Sequence, residues 1–219
     1  MKLDLKDIQK QIKKNFKQIK LFREFRTDIN TPLNIDSYFT SGFYKGAIVP
    51  CDDNDFVIKF PLTSDRDDED NCKEELRRSK LIEAAGFGDL IAKTKSIGKI
   101  KGVNFYMQEK AVTIYDNGSF YNKEEPRPDV SRLYDFLDFY PNFYWLIDLV
   151  DYCGYDRAKS FLLFLQENKI MEDLHDGNIG YIDNRPVLID YAGCSLLASS
   201  SGTDASSGCN YRYVKMGAL

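Results

Sequence analysis

The sequence predicts an α+β protein with two lobes and an added N-terminal amphipathic helix. The first observation is the helical spacing of apolar residues among many lysines at the start of the chain. The second is a series of short aromatic and β-branched runs, broken by glycines and acidic turns, on both sides of one helical segment. The third is a later region that is rich in leucine and aromatic residues at helical spacing. With 219 residues, of which 43% are hydrophobic, the chain can form one good core or two small lobes.

Residues 1–30 are predicted to form a basic amphipathic helix. Apolar residues recur at every third or fourth position, at Leu5, Ile8, Ile12, Phe16, Ile19 and Phe22. Residues 1–26 also contain nine lysines or arginines. The favoured interpretation is that the apolar stripe docks on the following domain while the basic face stays in solvent. Peripheral contact of the basic face with an acidic membrane or partner is the alternative, and it is not favoured.

Residues 31–111 are predicted to form the first lobe, which is a β-sheet with one helix. Aromatic and β-branched residues alternate with glycines and an acidic turn over 38–60, which favours a β-hairpin or a three-stranded meander. A helix is expected over 73–85, followed by strands over 91–97 and 103–111.

Residues 112–219 are predicted to form the second lobe, which is helical and truncated. Two helices are expected over 133–152 and 156–168, separated by Cys153, Gly154 and Tyr155. The remaining expectations are a loop over 116–129, a hairpin turn over 183–186 and a Ser- and Gly-rich loop over 195–207.

The composition disfavours several classes of protein. A formal charge of -4 argues against a generalised nucleic-acid binder. The five cysteines contain no C-x-x-C pair and their number is odd, which favours reduced thiols over a zinc cage or a closed disulfide framework. The N-terminus lacks the apolar core of a signal peptide, and the longest apolar run, 161–165, is too short to span a bilayer. The expected location is the cytoplasm of a bacterium or of a host cell.

Three polar residues near the end of the second lobe have the spacing of a phosphoryl-transfer site. Asn178 follows Asp173 by five residues, and Asp190 follows the apolar run 187–189. This pattern resembles the catalytic loop and the metal-binding aspartate of the protein-kinase-like superfamily. The resemblance covers residues 38–193. It implies that Asp173 accepts the proton of the incoming hydroxyl group and that Asn178 and Asp190 hold Mg²⁺ on the phosphates of ATP.

The loop around Asp173 reads D-L-H-x-x-N, with His175 in the third position. This form resembles the loop of aminoglycoside and choline phosphotransferases and of small atypical kinases from bacteria and bacteriophages. His175 is the only histidine in the chain, which excludes a multi-histidine metal site. Under the resemblance it either contacts phosphate or orients the loop, and a structural hydrogen-bonding role is an equal alternative.

The same resemblance assigns residues of the first lobe to ATP. Lys59, after three apolar residues, corresponds to the lysine that contacts the α- and β-phosphates, and Glu75, with Glu74 as the alternative, holds that lysine in place. Two further pairs complete the assignment: Gly42 and Gly46 in a degenerate glycine-rich hairpin over the phosphates, and the backbone of Glu109 and Ala111 at the adenine edge.

The departures from the kinase pattern shape the predicted function. Glu172 stands where the family has arginine, and the 29 residues after Asp190 contain no A-P-E motif. The leading interpretation is a minimal atypical Ser/Thr protein kinase that uses ATP and Mg²⁺ and acts on a protein substrate or binds a partner protein. A small-molecule kinase and a pseudokinase that serves as a binding module are the alternatives.

Overall fold

The computed structural model describes residues 4–25, 37–41, 45–50, 54–62, 71–113, 127–138, 141–170, 174 and 177–191. The chain divides into two compact units. The described residues of Met1–Leu76 and Thr94–Glu109 form the first unit, and those of Arg77–Lys93 and Lys110–Thr203 form the second. The mixture of a β-sheet and helices confirms the predicted α+β class. The predicted loop at 195–207 and residues 116–126 of the predicted loop at 116–129 lie outside the described residues. The end of the latter prediction is wrong, because Pro128 and Asp129 begin a short helix.

The first unit contains a five-stranded antiparallel sheet. Its strands are β1 (Ser37–Ser41), β2 (Lys45–Pro50), β3 (Phe56–Pro61), β4 (Thr94–Ile100) and β5 (Val103–Glu109), in the spatial order β1-β2-β3-β5-β4. The first three strands form the predicted meander. Between β3 and β4 the chain forms the predicted helix, numbered α3 (Asn71–Ala84) because two helices precede the sheet.

The predicted amphipathic N-terminal segment is helical, but it forms two successive helices instead of one. Helix α1 spans Leu5–Lys14 and helix α2 spans Phe16–Phe25. Asn15 separates them, and its side-chain amide donates a 3.1 Å hydrogen bond to the carbonyl oxygen of Gln11. Asparagine side chains compete for backbone hydrogen bonds in this way, which disfavours them inside helices.

The apolar stripe of α1 and α2 packs on one face of the sheet. Ile12 and Ile19 are fully buried, and the ring of Phe22 stacks on Phe39 of β1 with 4.3 Å between centroids. The Gln9 amide donates to the carbonyl of Ile97 in β4 at 2.7 Å, which fixes α1 against the strand. The structure therefore has the docked arrangement that the amphipathic pattern favoured.

The second unit contains a helical part that differs from the prediction at its start. Residues 133–152 do not form one helix: α4 (Pro128–Ser131) leads into a 3₁₀ helix (Arg132–Phe136), and α5 begins only at Phe143 and ends at Cys153. The break coincides with Pro141, whose ring cannot sit inside a helix, and with Asn142, whose side chain caps α5. Helix α6 (Tyr155–Glu167) follows Gly154, as predicted.

The second unit also contains a three-stranded sheet of β6 (Val112–Thr113), β7 (Ile179–Ile182) and β8 (Arg185–Leu188). The turn between β7 and β8 is the predicted one. Asp183 and Asn184 both have positive φ, 50° and 63°, which this tight turn requires and which these residue types tolerate. Among the described residues, no helix is long and apolar enough to cross a membrane.

Candidate active site

The sheet of the first unit has one apolar face and one polar face. Ile48, Ile58 and Phe60 point to the face covered by α1 and α2 and are fully buried there. Side chains alternate along a strand, so Lys59, which lies between Ile58 and Phe60, is next to Ile58 in sequence and points to the opposite face. Ala47 pairs with Lys59 across β2 and β3, and Lys45, two residues before Ala47, points to the same face as Lys59. The polar face therefore carries the lysine that the sequence assigns to ATP.

Lys59 forms a buried ion pair with Glu75 of α3. The Lys59 Nζ atom lies 2.7 Å from Glu75 Oε1, and the two side chains are 10% and 0% exposed. Glu75 lies on the buried stripe of α3, four residues after the buried Asn71, whereas Glu74 is half-buried. The sequence predicted Glu75 as the partner of the lysine, with Glu74 as the alternative, and the structure pairs Lys59 with Glu75.

Two residues that the sequence analysis did not select fix the Glu75 carboxylate. The Gln108 amide on β5 donates to Glu75 Oε1 at 2.5 Å and to the hydroxyl oxygen of Thr94 on β4 at 3.0 Å. Gln108 is fully buried. The signal for it was present, because Asn104, Tyr106 and Gln108 alternate with apolar residues along β5 and so mark its polar face.

Lys45 is a second lysine on the same carboxylate. Its Nζ atom lies 2.9 Å from Glu75 Oε2, and its side chain is 12% exposed. Lys45 is the first residue of β2, immediately after the part of the predicted glycine-rich hairpin that falls outside the described residues. Glu75 therefore has a different lysine on each carboxylate oxygen.

The two predicted glycines differ in what the structure shows. Gly42 lies outside the described residues. Gly46 is buried, and a Cβ atom there would lie 2.6 Å from the ring of Phe60. The packing of the apolar face thus requires glycine at this position, whatever ligand the hairpin meets.

Glu109 and Ala111 lie where the chain passes from one unit to the other. Glu109 is the last residue of β5 and pairs with Phe56, while Ala111 directly precedes β6. One of the boundaries between the units falls between Glu109 and Lys110. Their assignment to the adenine edge stays a prediction.

In the second unit, the β7–β8 hairpin positions Asn178 and Asp190. The N–H group of Ile189 donates a 2.7 Å hydrogen bond to the carbonyl oxygen of Asn178, which continues the pairing of Ile179 with Leu188. Asn178 is fully buried and Asp190 is half-buried. Both residues therefore lie at the open end of one hairpin, the arrangement that the resemblance implied.

The chemistry of these two side chains fits Mg²⁺. An amide oxygen and a carboxylate are oxygen ligands of the kind that this hard cation prefers, and a Mg²⁺ ion on nucleotide phosphates needs only one or two protein carboxylates. The described residues contain no cluster of three or more histidine, cysteine or acidic side chains that could hold a metal ion. Asp173 and His175 lie outside the described residues, so their roles stay predictions.

Comparisons with known proteins return kinase domains at low similarity. No protein-family model and no curated protein matches the chain. Among solved structures, the chain is similar to the PknI kinase domain of Mycobacterium tuberculosis, with 12% identity, a TM-score of 0.37 and coverage of 76% of this chain and 63% of that chain. A single mutant of that domain gives 12% identity and a TM-score of 0.35 with the same coverages. A double mutant gives 13%, 0.37, 76% and 62%.

The chain thus spans less than two thirds of the length of these kinase domains.

Proposed function

We propose that the protein is an ATP- and Mg²⁺-dependent phosphotransferase, and specifically a minimal atypical Ser/Thr protein kinase. The observation that carries the proposal is the buried 2.7 Å ion pair between Lys59 and Glu75. Burying two charges is costly, and a buried pair is weak support for stability alone, which favours a functional reason for its presence. Phosphate binding by a lysine that a glutamate holds in place is such a reason.

The proposed roles of Lys59 and Glu75 follow from their contact, and those of Asn178, Asp190 and Asp173 follow from the resemblance of the sequence motif. Lys59 contacts the nucleotide phosphates, and Glu75 orients Lys59. Asn178 and Asp190 hold Mg²⁺, which neutralises charge on the phosphates when bound. Asp173 orients the acceptor hydroxyl group and accepts its proton.

The test is incubation of the full chain with labelled ATP and Mg²⁺, with and without cell lysate. Label on the protein itself or on lysate proteins is the expected result. Label only on small metabolites would favour a small-molecule kinase instead. ATP binding without transfer to any acceptor would favour a pseudokinase.

Three variants assign the activity to the site. Lys59→Met and Asp173→Ala should each lose transfer by orders of magnitude, while Asp173→Ala keeps its affinity for ATP because its carboxylate acts mainly in the transition state. Lys99→Met is the matched control for Lys59→Met, because Lys99 is an exposed lysine on β4 of the same sheet. Wild-type turnover in Lys59→Met or Asp173→Ala would reject the proposed site.

A further inference from the structure

We infer that Lys45 is a second phosphate-binding lysine, so that the nucleotide polyphosphate is held by two ammonium groups from adjacent strands. The identification of the ligand as a nucleotide rests on the proposed function. The placement of Lys45 rests on the ion pairs within the first unit.

The position of the Lys45 ammonium group is set by Glu75. Its Nζ atom lies 2.9 Å from Glu75 Oε2, and Lys59 Nζ lies 2.7 Å from Glu75 Oε1. The carboxylate itself is fixed by Gln108 and by its complete burial. An anion that reaches the Lys59 ammonium group therefore also comes close to that of Lys45.

The strand pairing places the two lysine side chains on the same face of the sheet. Ala47 lies opposite Lys59, and Lys45 is two residues from Ala47 on β2, so Lys45 and Lys59 project from one face of the sheet. The other face is filled by the helices α1 and α2. A ligand can thus meet both lysines on the polar face.

The chemistry of lysine suits a polyphosphate. Its ammonium group is a compact charge with three donors on a flexible stem, so one donor can stay on Glu75 while another binds a phosphate oxygen. Two such groups on different strands can contact different phosphates of one chain. We expect selectivity for ligands with several linked phosphates, such as nucleoside triphosphates and inorganic tripolyphosphate.

The experiment is a double-mutant cycle between Lys45 and Glu75, followed by calorimetric titration with Mg²⁺-ATP and with tripolyphosphate. Lys45→Met should weaken binding of both by about tenfold, the loss of one charge-assisted hydrogen bond. In the Glu75→Gln background, where the Lys45 ammonium group has lost its partner, the effect of Lys45→Met should be smaller but still measurable. Lys45→Arg should recover much of the affinity because it keeps the charge, and Lys99→Met should bind as wild type does.

Several results would overturn the inference. If the effect of Lys45→Met disappears in the Glu75→Gln background, Lys45 acts only through Glu75. Unchanged affinity in a folded Lys45→Met protein, or wild-type protein that binds neither ligand, rejects phosphate binding outright. If Lys45→Met does not fold, the affinities of Lys45→Arg and Lys45→Gln are compared instead, because the first substitution keeps the positive charge and the second removes it.

The inference and the proposed function fail separately. Wild-type protein that binds polyphosphate through Lys45 but transfers no phosphoryl group keeps the inference and rejects the kinase activity. Full transfer and full ATP affinity in Lys45→Met keep the kinase activity and reject the inference.

Discussion

Arg78 donates a 3.1 Å hydrogen bond from Nη1 to the carbonyl oxygen of Tyr191, the residue that follows Asp190. The same atom lies 3.2 Å from the carbonyl oxygen of Lys169. Arg78 is 5% exposed, which is rare for arginine unless it is well bonded. In the second unit, this side chain thus binds both ends of the stretch that contains Asn178 and Asp190.

We expect Arg78→Met to lower the free energy of unfolding by roughly 2–4 kcal/mol, because it removes a charged donor from two buried carbonyl groups. Chemical denaturation with urea measures this change. Lys80→Met is the matched control, since Lys80 is an exposed cation on the same helix. An equal effect of the two substitutions would show that the Arg78 hydrogen bonds add nothing specific.

The docked N-terminal helices lead to a prediction about Ile12. Its side chain is fully buried in the core between α1 and the sheet. Ile12→Ala should therefore cost roughly 2–5 kcal/mol of unfolding free energy, through lost apolar burial and the cavity left behind. Reversal of charge at Lys13, Lys14 and Lys17, which are exposed, should change the melting temperature little. Unchanged stability of Ile12→Ala would contradict the docking.

Acid should weaken a link between a loop and a helix of the second unit. Both guanidinium Nη atoms of Arg157 donate to the Asp89 carboxylate, and these hydrogen bonds, opposed in part by burial, hold the pKa of Asp89 below its ordinary value of 3.8. The folded state therefore binds this proton less readily than the unfolded state. The stabilisation is present above pH 3.8 and is lost as pH falls through the lower, folded-state pKa.

Asp89→Asn should accordingly remove part of the loss of stability in acid. Melting temperatures of wild type and variant between about pH 2 and about pH 6, a range that includes the ordinary carboxylate pKa values and the region below them, measure this difference. The two curves should converge as pH falls. Parallel curves over the whole range would show that Asp89 does not contribute.

The sequence predicted the elements whose signal is local. The meander, α3 and the turn at Asp183 and Asn184 follow from alternation, helical spacing and residues that tolerate positive φ. The break at Asn15 and the late start of α5 were missed, because a periodic apolar pattern continues across both positions. Capping side chains and Pro141 decide those boundaries, and their effect depends on which backbone groups they meet.

The residues of the candidate site were likewise predicted only where the sequence carries a local signal. Lys59, Asn178 and Asp190 could be selected because a spaced motif identifies them. Lys45 and Gln108 were not selected. Alternation along β5 marks the polar face on which Gln108 lies, but the importance of both residues comes from a contact with Glu75, which is 30 or more positions away in the sequence. The sequence also did not decide between Glu74 and Glu75. That choice depends on which of them faces Lys59, and the sequence does not fix how α3 is rotated about its axis.

The two glutamates provide an internal control for the ion pair. Glu75→Gln removes the negative charge that holds Lys45 and Lys59. We expect phosphoryl transfer to fall by at least about tenfold. The free energy of unfolding should also fall, because two buried ammonium groups lose their partner. Glu74→Gln, one position earlier and half-buried, should change both quantities far less. A larger effect at Glu74 on transfer measured with labelled ATP would reverse the assignment.

The β7–β8 hairpin provides a matched pair for the metal. Asp190→Asn and Asp183→Asn are the same isosteric change, one at the open end of the hairpin and one at its exposed turn. If Asp190 holds Mg²⁺, its substitution removes a negative ligand and should lower transfer by orders of magnitude without changing the melting temperature much. Asp183→Asn should act as wild type, because asparagine tolerates the positive φ of that position.

Initial rates of transfer over a series of Mg²⁺ concentrations separate the two variants. A shift to higher Mg²⁺ requirement in Asp190→Asn alone supports the metal role, and equal rates for both variants at every concentration would place the metal elsewhere.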